Sequence, residues 1–173
     1  MQGLLETAFE NGQILDAVVA QSESQRMDMW RMREGVVLAQ AFEGGSIKHD
    51  IAVPVSRIPE FIRRATVAAE EMIPGIRPVV FGHCGDGNLH YNFSQPIGAD
   101  AAEFLDCWPA MKEMVHDIVA DMNGSFSAEH GIGQLKRDDM ARYKSPLELD
   151  LMRRLKRTID PHNIMNPGKV IPG

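Results

Sequence analysis

Only two cysteines occur in 173 residues, Cys84 and Cys107, and they fit neither a CxxC nor a zinc-ribbon spacing. A disulfide framework is excluded, and two free thiols in a cytoplasmic protein are the expectation. No run approaches about 18 consecutive apolar residues, so no segment is predicted to span a membrane. The opening MQGLLETAFENG has no positive start, no long apolar stretch and an early acid, which excludes a signal peptide. Basic runs are missing as well. With a formal net charge of −6, nucleic acid and anionic membrane surfaces are poor partners. A few local cations can still hold a small anion. Neither GHCGDG nor HGIGQLK is a G-x-G-x-x-G or Walker motif, and H-E-x-x-H does not occur. There is no internal repeat and no low-complexity segment.

What is present describes one globular domain: 44% hydrophobic and 24% charged residues are enough to build a core. Leu4 to Val37 reads as two helices broken near Gly12. After Gly44-Gly45, SIKHDIAVPV alternates as a strand does and ends at Pro54. Ile58, Phe61, Ile62, Ala65, Ala68, Ala69 and Met72 share a helical face, with Ser56 as N-cap candidate and Pro74-Gly75 as the stop. IRPVVFGH and LHYNF read as paired strands. Phe104, Trp108, Met111, Val115, Ile118, Val119 and Met122 mark a second amphipathic helix from Asp100 to Asn123, closed by Gly124 at C′. GSFSA follows as a short strand, and Leu147, Leu151, Leu155 and Ile159 mark a final helix. The fold class is therefore α+β: a ferredoxin-like split βαββαβ antiparallel sheet with flanking helices and a C-terminal helix.

The stretch FGHCGDGNLHYNF carries the chemistry. With Asp86-Gly87 as a two-residue primed turn, His83 pairs directly with His90, their Cβ atoms about 4.5–5.5 Å apart on one face. That suits two imidazoles sharing one ion. Asn92 projects from the same face and Cys84 from the other. A divalent ion needs a further ligand, and Glu129 in SAEHGIG, after the last predicted strand, is the best candidate. Two histidines and a glutamate with open positions form a catalytic rather than a structural pattern. His130 beside it is then a candidate general base. The plain alternatives are a cross-strand histidine pair, a helix-start acid at Glu129 and a simple GIG turn.

GHCGDGNLH, SAEHGIGQLK and DPHNIMNPGKV, in that order, together with WRMRE upstream, resemble the signature segments of the C-terminal, substrate-side domain of FAD-linked 2-hydroxyacid dehydrogenases. These are the D-lactate, glycolate-oxidase-subunit and D-2-hydroxyglutarate dehydrogenase group of the vanillyl-alcohol-oxidase superfamily. The resemblance covers nearly the whole chain. It implies that His83, His90 and Glu129 bind a divalent metal, commonly zinc, and that His130 takes the hydroxyl proton as hydride leaves for the flavin. It implies substrate contacts from Asn92, Arg33 and Lys48, and a tail in which Asn166 and Lys169 turn toward FAD. For Arg33 and Lys48 ordinary surface solvation is the competing reading. A guanidinium fork suits a carboxylate, and an ammonium adds a point charge.

Three positions depart from the family pattern. Cys84 replaces an aliphatic residue, Ala128 replaces a glycine in the manner of the 2-hydroxyglutarate subgroup, and Val37 stands where some members carry a hydroxyl. Family members carry an FAD-binding domain ahead of this region, so residues 1–173 are expected to be the substrate and metal domain of a longer architecture, inactive alone. Loss of upstream strands would expose a sheet edge, which favours self-association. Three readings follow: the substrate and metal half of an FAD-dependent dehydrogenase; a non-catalytic ferredoxin-like domain binding a metal or small acid; and a metallohydrolase, which lacks a second water-activating acid.

Overall fold

A computed structural model describes residues 2–83 and 85–172, without the side chains of Gln2 and Val37. The expectations for Cys84 and for the Val37 side chain therefore lie outside the described residues. The chain divides into two compact units, one ending at Phe42 and one running from Glu43 onward. In the first, α1 (Gln2–Glu10) and α2 (Glu23–Gln40) are the two expected helices. Ser22 caps α2, its side chain accepting a hydrogen bond from the Gln25 N–H. Arg33 lies on α2. Among the described residues no helix is long and apolar enough to cross a membrane.

The second unit is α+β. β1 (Ser46–Ile47) and β2 (Asp50–Ala52) both pair antiparallel with β4 (Asn88–Ser94), whose other side pairs with β3 (Arg77–His83). A bridge between Ala52 and Ser125 adds the fourth position. The sheet order is therefore last, first, third, second, as the split βαββαβ unit requires. Instead of a strand, GSFSA contributes this single bridge. It works because Gly124 passes so close to β2 that a Cβ there would sit 2.3 Å from the Ala52 carbonyl oxygen.

The break between β1 and β2 has a local cause. The His49 N–H donates to the Asn92 side chain (3.2 Å), while the His49 Nδ1 meets the Tyr91 carbonyl at 2.8 Å. A side chain thus replaces one rung of the ladder, and the pairing register carries on through the gap.

α3 (Ile58–Met72) and α5 (Trp108–Asp121) cover one sheet face. Phe61, Ala65 and Ala69 of α3 pack with Met111, Val115 and Val119 of α5 onto Ile47, Ile51, Tyr91 and Phe93. Met72, expected on the buried stripe, is exposed. Ser56 is not the cap of α3: a 3-10 turn over Val55–Arg57 precedes the helix, and Arg57 holds the cap position without a side-chain bond. Pro54 sets up that turn and Pro59 sits in the first turn of α3, where a missing N–H costs nothing.

The expected helix from Asp100 to Asn123 is two, α4 (Ala101–Asp106) and α5, broken at Cys107 just before Pro109. Its left-handed closing residue is Asn123 (φ 57°), not Gly124.

α6 (Arg137–Tyr143) and α7 (Pro146–Ile159) complete the unit around Phe126, Met140 and Leu149. The helical stripe Leu147, Leu151, Leu155 and Ile159 is exposed, and Leu149 faces the core instead. Ser145 opens α7 with a capping box closed by Glu148. Ser145→Ala is expected to lower stability by about 1 kcal/mol in urea denaturation, with the fold retained.

Candidate functional site

The sheet face opposite α3 and α5 is polar because β2 and β4 alternate on it. Asp50 pairs with His90, and His90 with Phe81; Asn88 pairs with His83. The direct His83–His90 pair expected from the sequence is therefore corrected. Either primed two-residue turn needs positive φ at its first central residue, and Asp86 lacks it; only Gly87, the second, has it (φ 81°). Residues 85–87 are turn, and the His83 carbonyl accepts the Gly87 N–H (3.1 Å). The Asp86 carboxylate also accepts the Asn88 N–H (3.0 Å). The register moves by two, an even number, so both imidazoles stay on the same face and become diagonal neighbours.

Glu129 closes the gap between them. Its Oε1 lies 3.7 Å from His83 Nε2, and its Oε2 lies 3.3 Å from His90 Nε2. Ligand atoms about 3.3–3.5 Å apart are what tetrahedral bonds of about 2.0–2.1 Å demand, so the His90–Glu129 spacing and the donor types fit a small divalent cation, with His83 a little farther out. Asp50, His90, Glu129 and His130 also offer donor atoms all within 4.8 Å of one another. His90 is stacked on Phe81, ring centroids 5.0 Å apart, which fixes its plane. The His130 ring is 5.6 Å from that of His90 and exposed, so it can exchange a proton with whatever lies beside the cluster.

Two residues of this cluster carried no assignment from the sequence: Asp50 and Lys136. Asp50 is 2% exposed. Its carboxylate accepts the N–H groups of Ala128 (3.1 Å), Glu129 (3.1 Å) and His130 (2.9 Å), and the Asn88 amide at 3.4 Å. Burial alone would push the Asp50 carboxyl up. The His130 and Glu129 amides and the charge of Lys136 outweigh it and hold the group below the usual carboxylate range. Lys136 donates to the Phe126 carbonyl (2.8 Å) and the Asp50 carbonyl (3.3 Å). Its own pKa is lowered by burial, against the opposing pull of Asp50 and Asp139. The signal for Asp50 was its position two residues after Lys48 on an alternating strand, which put an acid on the histidine face.

The other expected site residues are distributed as follows. Lys48 is exposed in the gap between β1 and β2. The carried-over register sets it opposite Asn92, on the His90 face. Asn92 is buried on β4. Asn166 and Lys169 line a separate basin of about 450 Å³ with Arg137, Arg153, Lys156 and Arg157. Arg33 belongs to the first unit.

Residues 1–170 match the family described as FAD linked oxidases, C-terminal domain. A D-2-hydroxyglutarate dehydrogenase of Stutzerimonas stutzeri is 39% identical over 165 residues, 95% of this chain and 35% of that protein. The mitochondrial D-2-hydroxyglutarate dehydrogenase of Arabidopsis thaliana is 35% identical over 99% of this chain and 29% of its own length. That of Bos taurus is 34% identical over 97% and 30%. The chain spans about a third of the curated relatives it matches. On the extent of the family match, the chain belongs to the FAD linked oxidases, C-terminal domain.

Proposed function

We propose that this chain is the substrate- and metal-binding portion of an FAD-dependent dehydrogenase. It would oxidise a D-2-hydroxy acid of the 2-hydroxyglutarate or lactate type to the 2-oxo acid, and be inactive without an FAD-binding domain. The observation that carries the reading is the Glu129 carboxylate standing between His83 Nε2 and His90 Nε2. The names of the relatives favour 2-hydroxyglutarate.

In this reading His83, His90 and Glu129 hold a divalent cation, zinc by the donor set, whose Lewis acidity makes an α-hydroxyl easier to deprotonate. FAD supplies the two-electron acceptor. His130, exposed beside the cluster, accepts the hydroxyl proton on its ring nitrogen. Lys48 supplies a positive charge for a substrate carboxylate on the same face as Asn92, and Arg33 supplies a bidentate one. Asn166 and Lys169 are the tail residues assigned to the flavin side.

Elemental analysis of the purified chain tests the reading directly. About one equivalent of zinc is expected in the parent, and loss of it in Glu129→Gln and in the His83→Ala/His90→Ala pair, with melting temperatures retained. Metal-free parent and variants, even after loading, would reduce His83 and His90 to a polar pair. Supplying a flavin domain in trans and following dye reduction with D-2-hydroxyglutarate and D-lactate then separates an enzyme half from a non-catalytic binding domain.

A further inference from the structure

The loop carrying Glu129 and His130 has little regular structure of its own. After the Ser125 bridge, residues 126–133 contain no helix or strand, and Gly131 and Gly133 both have positive φ. Such a segment would ordinarily sample many conformations. Yet one buried carboxylate gathers three successive amides of it, Ala128, Glu129 and His130, while Lys136 takes the Phe126 carbonyl from the other side. Lys136 also lies 3.8 Å from Asp50 Oδ2, so the two clamping groups pair with each other. Both oxygens of Asp50 accept from the protein: Oδ1 from Glu129 and Asn88, Oδ2 from Ala128, Glu129 and His130. A carboxylate has about four lone-pair sites, so these donors occupy the capacity a cation would use.

We propose that Asp50 is a positioning residue: its buried carboxylate, braced by Lys136, clamps the amides of residues 128–130 and thereby aims Glu129 at His83 and His90 and sets His130 beside them. Asp50 acts on the cation site through the loop, in the way hydrogen-bonded partners behind metal ligands tune affinity. The consequence for cation binding rests on the metal reading above; the clamp itself does not.

The test uses two readouts on the same full chain. Amide hydrogen exchange at residues 128–130 reports the clamp without any metal. Zinc affinity, by competition with a chromophoric chelator, reports its effect on the site. In Asp50→Asn, exchange protection of the three amides is expected to fall at least about tenfold and zinc to bind about 10–100-fold more weakly. Lys136→Met, a milder cut at the same clamp, should move both in the same direction by less. It also keeps the question answerable if Asp50→Asn folds poorly. Asp160→Asn removes another buried acid, one that holds the Ile164 and Met165 amides outside this loop, and should change neither readout. Protection retained in Asp50→Asn overturns the proposal. So does lost protection with zinc affinity within twofold of the parent, or loss of affinity equal in Asp160→Asn. If the parent binds no zinc, the metal reading fails, and the exchange data alone uphold or overturn the clamp.

Discussion

Gly87→Ala is expected to destabilise the chain by about 3–5 kcal/mol and, under the proposed metal reading, to abolish cation binding with it. Gly87 has φ 81°, a region that costs an L-residue about 1–2 kcal/mol before any contact is counted. Steric contact costs more: a Cβ at this position would stand 2.0 Å from the Val53 carbonyl oxygen. That oxygen belongs to backbone and cannot rotate away. Gly87 also accepts the Val53 N–H on its own carbonyl (3.1 Å), so moving the loop off Val53 breaks the pairing between the hairpin and the end of β2. The hairpin presents His83 and His90, and β2 presents Asp50, so the loss reaches every wall of the site. Gly85→Ala is the control: nothing lies within 4 Å of its added Cβ, and a change within about 0.5 kcal/mol is expected. Urea midpoints of the two variants decide the matter. A Gly87→Ala chain as stable as the parent would mean that the hairpin loop can leave Val53 without cost.

The same hairpin shows how far the sequence can be read. Asp86-Gly87 marked a turn between two strands, and period-two alternation put His83 and His90 on one face; both features hold in the structure. The pairing was off by two residues because turn chemistry, not alternation, sets the register. Asp86 stays out of positive φ and uses its carboxylate on the Asn88 amide. Glu129 followed from the chemical need for a third donor, and the order of elements brought it near. The clamping roles of Asp50 and Lys136 were harder to read, for a different reason. The three loop amides that Asp50 gathers lie 78 or more residues away, and they and the acceptors of Lys136 are main-chain groups whose identity no side-chain pattern encodes. Helix ends failed on similar grounds: the cap of α3 follows from the 3-10 turn after Pro54 rather than from Ser56. The long stripes of α3 and α5 were the safest features, since a core of Phe61, Ala65, Met111 and Val115 repeats at helical spacing whatever the loops do.

Acid is expected to unfold the chain in a window set by two buried histidines that are not among the proposed cation ligands. His49 and His116 are almost fully buried, their rings 6.2 Å apart. Burial pushes both down to about 4, against a usual value near 6.5, and the nearby charges of Lys136 and Lys112 add to it. For His49 the chemistry is explicit. Nδ1 faces the Tyr91 carbonyl, an acceptor only, so it carries the proton, and Nε2 is a buried lone pair with no hydrogen-bond partner. A second proton there would be a charge in the core with nothing to receive it. His116 Nδ1 likewise has no hydrogen bond, with Asp139 at 3.8 Å. The native state thus binds fewer protons than the unfolded chain between about pH 6.5 and about 4, and stability falls as pH falls. The contribution is complete above about 6.5 and gone below about 4, on the order of 3 kcal/mol for each ring. That is a large share of the roughly 5–15 kcal/mol typical of a domain. Carboxylates also destabilise in acid, but Asp50, held below its usual value, loses its stabilisation only as pH drops through the lower carboxylate range. The interval from about 6.5 to about 5 therefore isolates the histidines. His116→Phe, an apolar ring among Phe126 and Tyr143, should remove about half of the loss in that interval while leaving stability at neutral pH unchanged or raised. An unaltered pH slope in that variant would assign the acid sensitivity to His49 alone.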